Sequence, residues 1–181
     1  MKNSRWLVTG CALALVGMIA GAQQTTMPTA NPVSATVKSQ LARFQKNMVG
    51  AAEAMPPEKY SFKPTPESIT FAHLVLHSAQ ANNNLCSKIS GGTAPELTLT
   101  DTDAKDKLVA ALKASFDYCT TALTTADDSK LSEAVNLGPN RQSTHAGVLI
   151  LVSDEWFDHY AGLAMYLRLN GILPPSAQPA K

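Results

Sequence analysis

The chain is poor in the residues that do chemistry. Its 181 residues include four histidines, three cysteines and two tryptophans. Any metal or nucleophile site must therefore come from a handful of positions, and spacing matters more than abundance. Charged residues make up 16% of the chain and aromatic residues 6%. Neither sign of charge dominates, because 15 Lys and Arg stand against 14 Asp and Glu for a formal net charge of +1. That balance excludes the broad basic surface that neutralises nucleic-acid phosphates. No glycine-rich loop precedes a helix to cradle a phosphate, and no Cys-x-x-Cys-His run attaches a haem. Apolar residues are plentiful at 45%. This is enough to bury a core and too much for a disordered chain. The length fits one domain.

Met1 to Ala22 reads as a secretory signal peptide. Lys2 and Arg5 make a positive start, an apolar stretch runs from Trp6 to Ala20, and Ala20-Gly21-Ala22 is a small-x-small cleavage site. An uncleaved membrane anchor is the rival reading, since the stretch approaches spanning length. Val8-Thr9-Gly10-Cys11 resembles a lipoprotein box, but the apolar run continues past the cysteine instead of ending there. Removing 22 residues from 181 leaves residues 23–181, a mature chain of 159 with Lys2 and Arg5 gone and a net charge of −1. The expected location is periplasmic or secreted, with no membrane association after cleavage. Cys11 leaves as well, so Cys86 and Cys119 remain as an even pair. In an oxidising compartment such a pair suggests a disulfide, which would close a loop of 33 residues. Two buried free thiols are the alternative. A Cys–His nucleophile needs a free thiol that a disulfide would consume.

The mature sequence predicts four helices and no strand. Asn31-Pro32 supplies a cap and a first-turn proline. Val33, Val37, Leu41, Phe44 and Met48 then recur at helical spacing until Gly50 and Met55-Pro56-Pro57. Residues 58–66 form a loop pinned by Tyr60 and Phe62, and Thr65-Pro66 restarts a helix that Gly91-Gly92 closes. The acidic run Asp101–Asp106 suits a third helix N-terminus, followed by the stripe Leu108, Leu112, Phe116, Cys119 and Leu123. A polar loop spans Thr124 to Gln142, with a short turn near Leu131. Ser143 or Thr144 caps the fourth helix, which ends at Asn170 with Gly171 in the left-handed position. Four amphipathic helices of this length predict an all-α four-helix bundle.

All four histidines fall on helices two and four. His73 and His77 are four apart, as are Glu155 and His159. An i,i+4 pair stacks on one helix face, so both members can address one ion. Zinc-like metals accept two imidazoles and a carboxylate and leave a position open. Val148, Val152, Glu155, His159, Gly162 and Tyr166 share the inward spacing, which places a carboxylate on an apolar stripe where it needs a partner. A cation or a hydrogen-bonded histidine would supply one, and ordinary polar pairing is the simpler reading. His145, near its helix start, reads as structural, and Asp154 and Asp158 read as a solvated face. The di-iron carboxylate bundles require two Glu-x-x-His pairs and further glutamates, whereas this chain has one Glu-x-x-x-His.

Three stretches together resemble the DinB/YfiT-like family of small four-helix metalloproteins. They are Met55-Pro56-Pro57-Glu58-Lys59-Tyr60-Ser61-Phe62-Lys63-Pro64-Thr65-Pro66-Glu67 with Thr70-Phe71, the segment Leu74 to Ser87 holding His77 and Cys86, and Asp158-His159-Tyr160 through Tyr166-Leu167-Arg168-Leu169-Asn170-Gly171-Ile172. The resemblance implies an up-down-down-up bundle with a divalent metal (zinc, nickel or iron) between helices two and four. Its usual ligands are one histidine on helix two and a His-x-x-x-His pair on helix four. His77 matches the first and His159 the last, while Glu155 replaces the middle histidine. His73 stands where the family more often has another polar residue, and it becomes a candidate substitute ligand. Characterised relatives implied by the resemblance are thiol-dependent transferases and isomerases, in which the metal lowers a thiol's pKa. Metal-activated water in a hydrolase is equally open chemically. The expected partners are a small-molecule substrate and a second copy of the chain, with no nucleic acid. A non-catalytic metal-binding or envelope-stress bundle with a degenerate site is the rival expectation.

Overall fold

The first helix begins where two distant segments cap each other. In the computed structural model, which describes residues 30–179, α1 spans Pro32–Ala54. Asn31 precedes it in the left-handed region (φ 54°) and makes no side-chain cap bond to the helix. Asp128 does that work from the far side of the chain. Its carboxylate accepts from the Val33 and Ser34 amides at 2.8 and 3.0 Å and from Ser34 Oγ at 2.6 Å. Asn31 Oδ1 in turn accepts from the Asp128 amide at 2.9 Å. The orphan donors of the helix start are thus satisfied, and the expected local cap is corrected to a tertiary one. At the other end Lys105 Nζ donates to the carbonyls of Glu53 and Met55 at 2.7 and 2.8 Å, countering the negative end of the helix dipole.

α2 spans Phe71–Ser90, α3 Lys105–Thr124 and α4 His145–Leu169. Two expected starts move C-terminally for the same reason. Thr65-Pro66 enters a tight turn in which Thr65 and Ser68 bond each other, and Thr70 becomes the cap by accepting from the His73 amide. Asp103 closes a turn on the Thr100 amide, so Asp101 and Asp103 precede α3, while Asp106 lies in its first turn as the acidic run predicts. Thr144 caps α4 as expected, accepting from the Gly147 amide. The expectation of no strand is overturned. β1 (Ala134–Gly138) and β2 (Arg141–Thr144) form an antiparallel hairpin with an irregularity between Asn136 and Gly138. Gly138 (φ 138°) and Asn140 (φ 60°) supply the positive φ angles of its turn.

Residue pairs fix the helix directions. Cys86 lies against Cys119, and Asn82 bonds Ser115. Both pairs keep one sequence offset, so α2 and α3 are parallel, and the long crossover 91–104 is the consequence. Trp156 bonds Asn82 and Tyr166 bonds the Ile69 carbonyl, which sets α4 antiparallel to α2. Ser153 bonds Gln40, and Phe157 packs on Phe44, so α4 is parallel to α1. The result is the up-down-down-up four-helix bundle. Trp156 fills its centre beside Phe44 and Phe116. Its indole N–H donates to Asn82 Oδ1 at 2.7 Å, and Asn82 Nδ2 donates to Ser115 Oγ at 3.0 Å. This fully buried chain satisfies groups that would otherwise be costly in an apolar core. The Cys86 and Cys119 sulfurs are bonded, with their Cα atoms 5.1 Å apart. The leader, anchor and lipobox readings fall on residues 1–22, outside the described residues. Among the described residues no helix is long and apolar enough to cross a membrane.

Candidate metal centre

The two helices that carry histidine meet closely because one residue has no side chain. Gly162 lies one turn beyond His159, and a Cβ placed there would sit 3.0 Å from Leu74 Cδ2. Leu74 lies one turn before His77. The contact brings the His77 and His159 rings to 5.0 Å between centroids, edge to face. Glu155, one turn before His159 on α4, faces it with Oε2 3.1 Å from Nε2. One donor atom from each of His77, Glu155 and His159 lies within 4.8 Å of the others. His159 is buried (4% exposed), Glu155 half-buried and His77 exposed. The inward stripe on α4 therefore holds for His159, but His77 looks outward from α2 instead of into the core.

Burial lowers the pKa of His159, and His77 pushes the same way, against the opposing pull of Glu155 and Asp158. The ring is thus kept neutral near pH 7, the state in which imidazole ligates. Two imidazoles and a carboxylate suit zinc, nickel or iron, so the donor set fits a divalent ion.

His73 lies outside this cluster. Its ring stacks over His77 at 6.2 Å, but Nδ1 pairs with Asp101 Oδ2 at 3.4 Å. Asp101 sits on the α2–α3 crossover, and nothing in the periodicity of α2 foreshadowed it. A cavity of about 480 Å³ opens beside this pair, bounded among others by Thr70, Asp101 and Tyr60. His145, at the start of α4, lies outside the cluster. Its amide donates to the Glu133 carbonyl, joining the hairpin to α4. Asp154 and Asp158 are exposed, as their spacing predicts. The contribution of Gly162 escaped sequence reading, although its position on the inward stripe was a usable signal.

An antiparallel pair of histidine-bearing helices in an up-down-down-up bundle, with a two-imidazole and one-carboxylate cluster between them, defines a small helical protein with a candidate divalent-metal centre. Comparison with known proteins narrows this further. Residues 40–162 match the model of the DinB superfamily, and the chain belongs to that family. Among solved structures it is similar to a DinB-like protein from Bacillus subtilis, with TM-score 0.64 and 22% identity over 80% of this chain and 99% of that one. It is also similar to a DinB-like protein from Bacillus cereus, with TM-score 0.63 and 14% identity over 77% of this chain and 93% of that one. At these identities the likeness shows the fold. Among curated proteins none matches this chain.

Proposed function

We propose that the protein is an exported, divalent-metal-dependent enzyme of transferase or hydrolase type, with His77, Glu155 and His159 holding the ion. The observation that carries this reading is the convergence of three donor atoms within 4.8 Å across two helices, one of them on a buried histidine. His159 supplies a neutral imidazole from the core side. Glu155, with Oε2 3.1 Å from His159 Nε2, brings the negative charge that an ion would compensate, and ligation requires the carboxylate ionised and the imidazole nitrogen free of its proton. His77 closes the set from the solvent side. The bound ion supplies Lewis acidity that lowers the pKa of a coordinated thiol or water. His73 is held by Asp101, a wall residue of the neighbouring cavity, and it is a positioning residue in this scheme. The signal-like leader and the Cys86–Cys119 pair support export to a periplasmic or extracellular location.

The test is metal content. Purified protein is expected to carry about one zinc, nickel or iron ion per chain, and His77→Ala and His159→Ala should lose it. Equal, negligible metal in all three proteins would refute the assignment. One observation favours a second reading. Glu155 and His159 already satisfy each other without an ion, as they would in a non-catalytic bundle with a degenerate site, and the same measurement separates the two. Export is tested by the mass of the chain recovered outside the cytoplasm, where loss of residues 1–22 is expected.

A further inference from the structure

The fixed charges around the candidate centre are of one sign. His77 is exposed, so the three-donor cluster is reached from solvent across the seam between α2 and α4. On α4, Asp158 follows Glu155 by three residues and precedes Gly162 by four. Residues at these spacings share a helix side, and Gly162 is the one packed against Leu74 of α2. Asp158 therefore stands at the seam, and it is exposed. Burial lowers the pKa of His159 and Asp158 is among the charges that oppose this, so its field reaches the cluster. On α2 the exposed neighbours of His77 are His73, Gln80 and Asn84, and the crossover adds Asp101 behind His73.

No lysine or arginine answers these carboxylates. Among the described residues none forms an ion pair with Asp101, Glu155 or Asp158. The two lysines that follow Asp101 are engaged elsewhere. Lys105 Nζ donates to the Glu53 and Met55 carbonyls, and Lys107 pairs with Asp103 at 3.2 Å. The first lysine or arginine after His77 on α2 is Lys88, and the one on α4 is Arg168, eleven residues from His77 and ten from Asp158 respectively. At the helical rise these are roughly 16 and 15 Å away, about two Debye lengths in physiological salt. A divalent ion in the cluster is thus faced by three carboxylates and neutral imidazoles, which leaves the rim negative. The ligating atom of a small molecule meets the ion, whereas the rest of that molecule lies over the rim and meets the carboxylates.

We propose that the centre selects its small-molecule ligand by charge. Beyond its ligating atom the ligand is cationic, an ammonium group in the simplest case, and molecules with a carboxylate or phosphate there are rejected, with Asp158 setting the preference. The inference rests on the metal reading given above and adds the class of ligand to it.

The experiment uses the full chain loaded with cobalt(II), whose visible absorption reports a ligand entering the coordination shell. Three thiols of matched length serve as probes: cysteamine (cationic), 2-mercaptoethanol (neutral) and 3-mercaptopropionate (anionic). Asp158→Asn should keep cobalt yet lower the ratio of cysteamine to mercaptopropionate affinity about tenfold, because loss of one charge weakens one probe and strengthens the other. The intrinsic acidities of the thiols cancel in that comparison. Mercaptoethanol should move little, and high salt should shrink the wild-type preference. Asp101→Asn should act in the same direction but less, since His73 lies between Asp101 and the cluster. A protein that takes up no cobalt would refute the metal reading itself. A cobalt-loaded protein whose affinity ratio agrees within about twofold between wild type and Asp158→Asn would overturn charge selection alone. So would cobalt spectra that none of the three thiols changes.

Discussion

Glu155 is the residue on which the candidate site turns. It stands in the position where the family resemblance places a histidine, and it holds the buried imidazole of His159 at 3.1 Å. Replacing it by glutamine keeps the shape and removes the charge. Glu155→Gln should therefore fold normally yet bind a divalent ion at least about tenfold more weakly, read by competition with a chromogenic chelator. Glu155→His restores a third imidazole and should retain binding. Equal affinity in wild type and Glu155→Gln would remove the carboxylate from the ligand set. At this scale the sequence was informative about identity and weak about environment. Helical spacing put His77 on helix two, His159 on helix four and Glu155 beside His159, and the family resemblance set the two helices face to face. It could not show that His77 is exposed, because exposure depends on how far α2 is rotated in the bundle. Nor could it show that Asp101 draws His73 away, since that contact crosses 28 residues of chain.

At the scale of elements, the helices were legible because each buries a stripe that repeats every three or four residues. Their starts were less so, since caps are chosen by tertiary contacts. The Asp128 carboxylate replaced Asn31 at α1, and Thr70 replaced Thr65 at α2. The hairpin was missed because its nine strand residues are mostly exposed and carry little apolar alternation. Two predictions belong here. Gly162→Val adds carbon atoms against Leu74 where α2 and α4 are already in contact. It should push the helices apart and weaken metal binding without touching a ligand, and titration beside wild type checks this. The disulfide closes a 33-residue separation, worth about 4 kcal/mol of unfolded-chain entropy. Cys86→Ala with Cys119→Ala should lower the unfolding free energy by about 2–4 kcal/mol in urea titration, with helix content retained. A count of two reactive thiols in denatured, unreduced wild type would refute the pairing.

For the whole molecule, chain directions were the least legible property from periodicity alone. An apolar stripe reports which face is buried and not which neighbour buries it, so the parallel α2–α3 pair was expected from family resemblance and established by contacts such as Asn82–Ser115. What periodicity did convey is that a polar group on a buried stripe needs a partner, and His159 makes that a property of global stability. Burial and His77 hold its pKa in the folded protein below the ordinary 6.5. As pH falls below about 6.5 the unfolded chain takes up a proton that the folded chain refuses, so stability drops until the folded pKa is reached and then levels. A second loss follows at lower pH. Asp103 and Asp127 are held below 3.8, chiefly by the amides of Thr100 and Ser129 respectively. Asp128 is also lowered, because Ser34 and Val33 outweigh the upward push of its burial. Stability from these carboxylates is present above 3.8 and disappears as pH passes down through their folded values. Urea midpoints measured in chelator across this range should therefore fall in two steps. His159→Gln should abolish the upper step and leave the lower one in place. Saturating zinc should steepen the upper step, since ligation requires the neutral imidazole. An upper step that survives His159→Gln would assign it to another group and show that the buried histidine does not govern the acid response of the bundle.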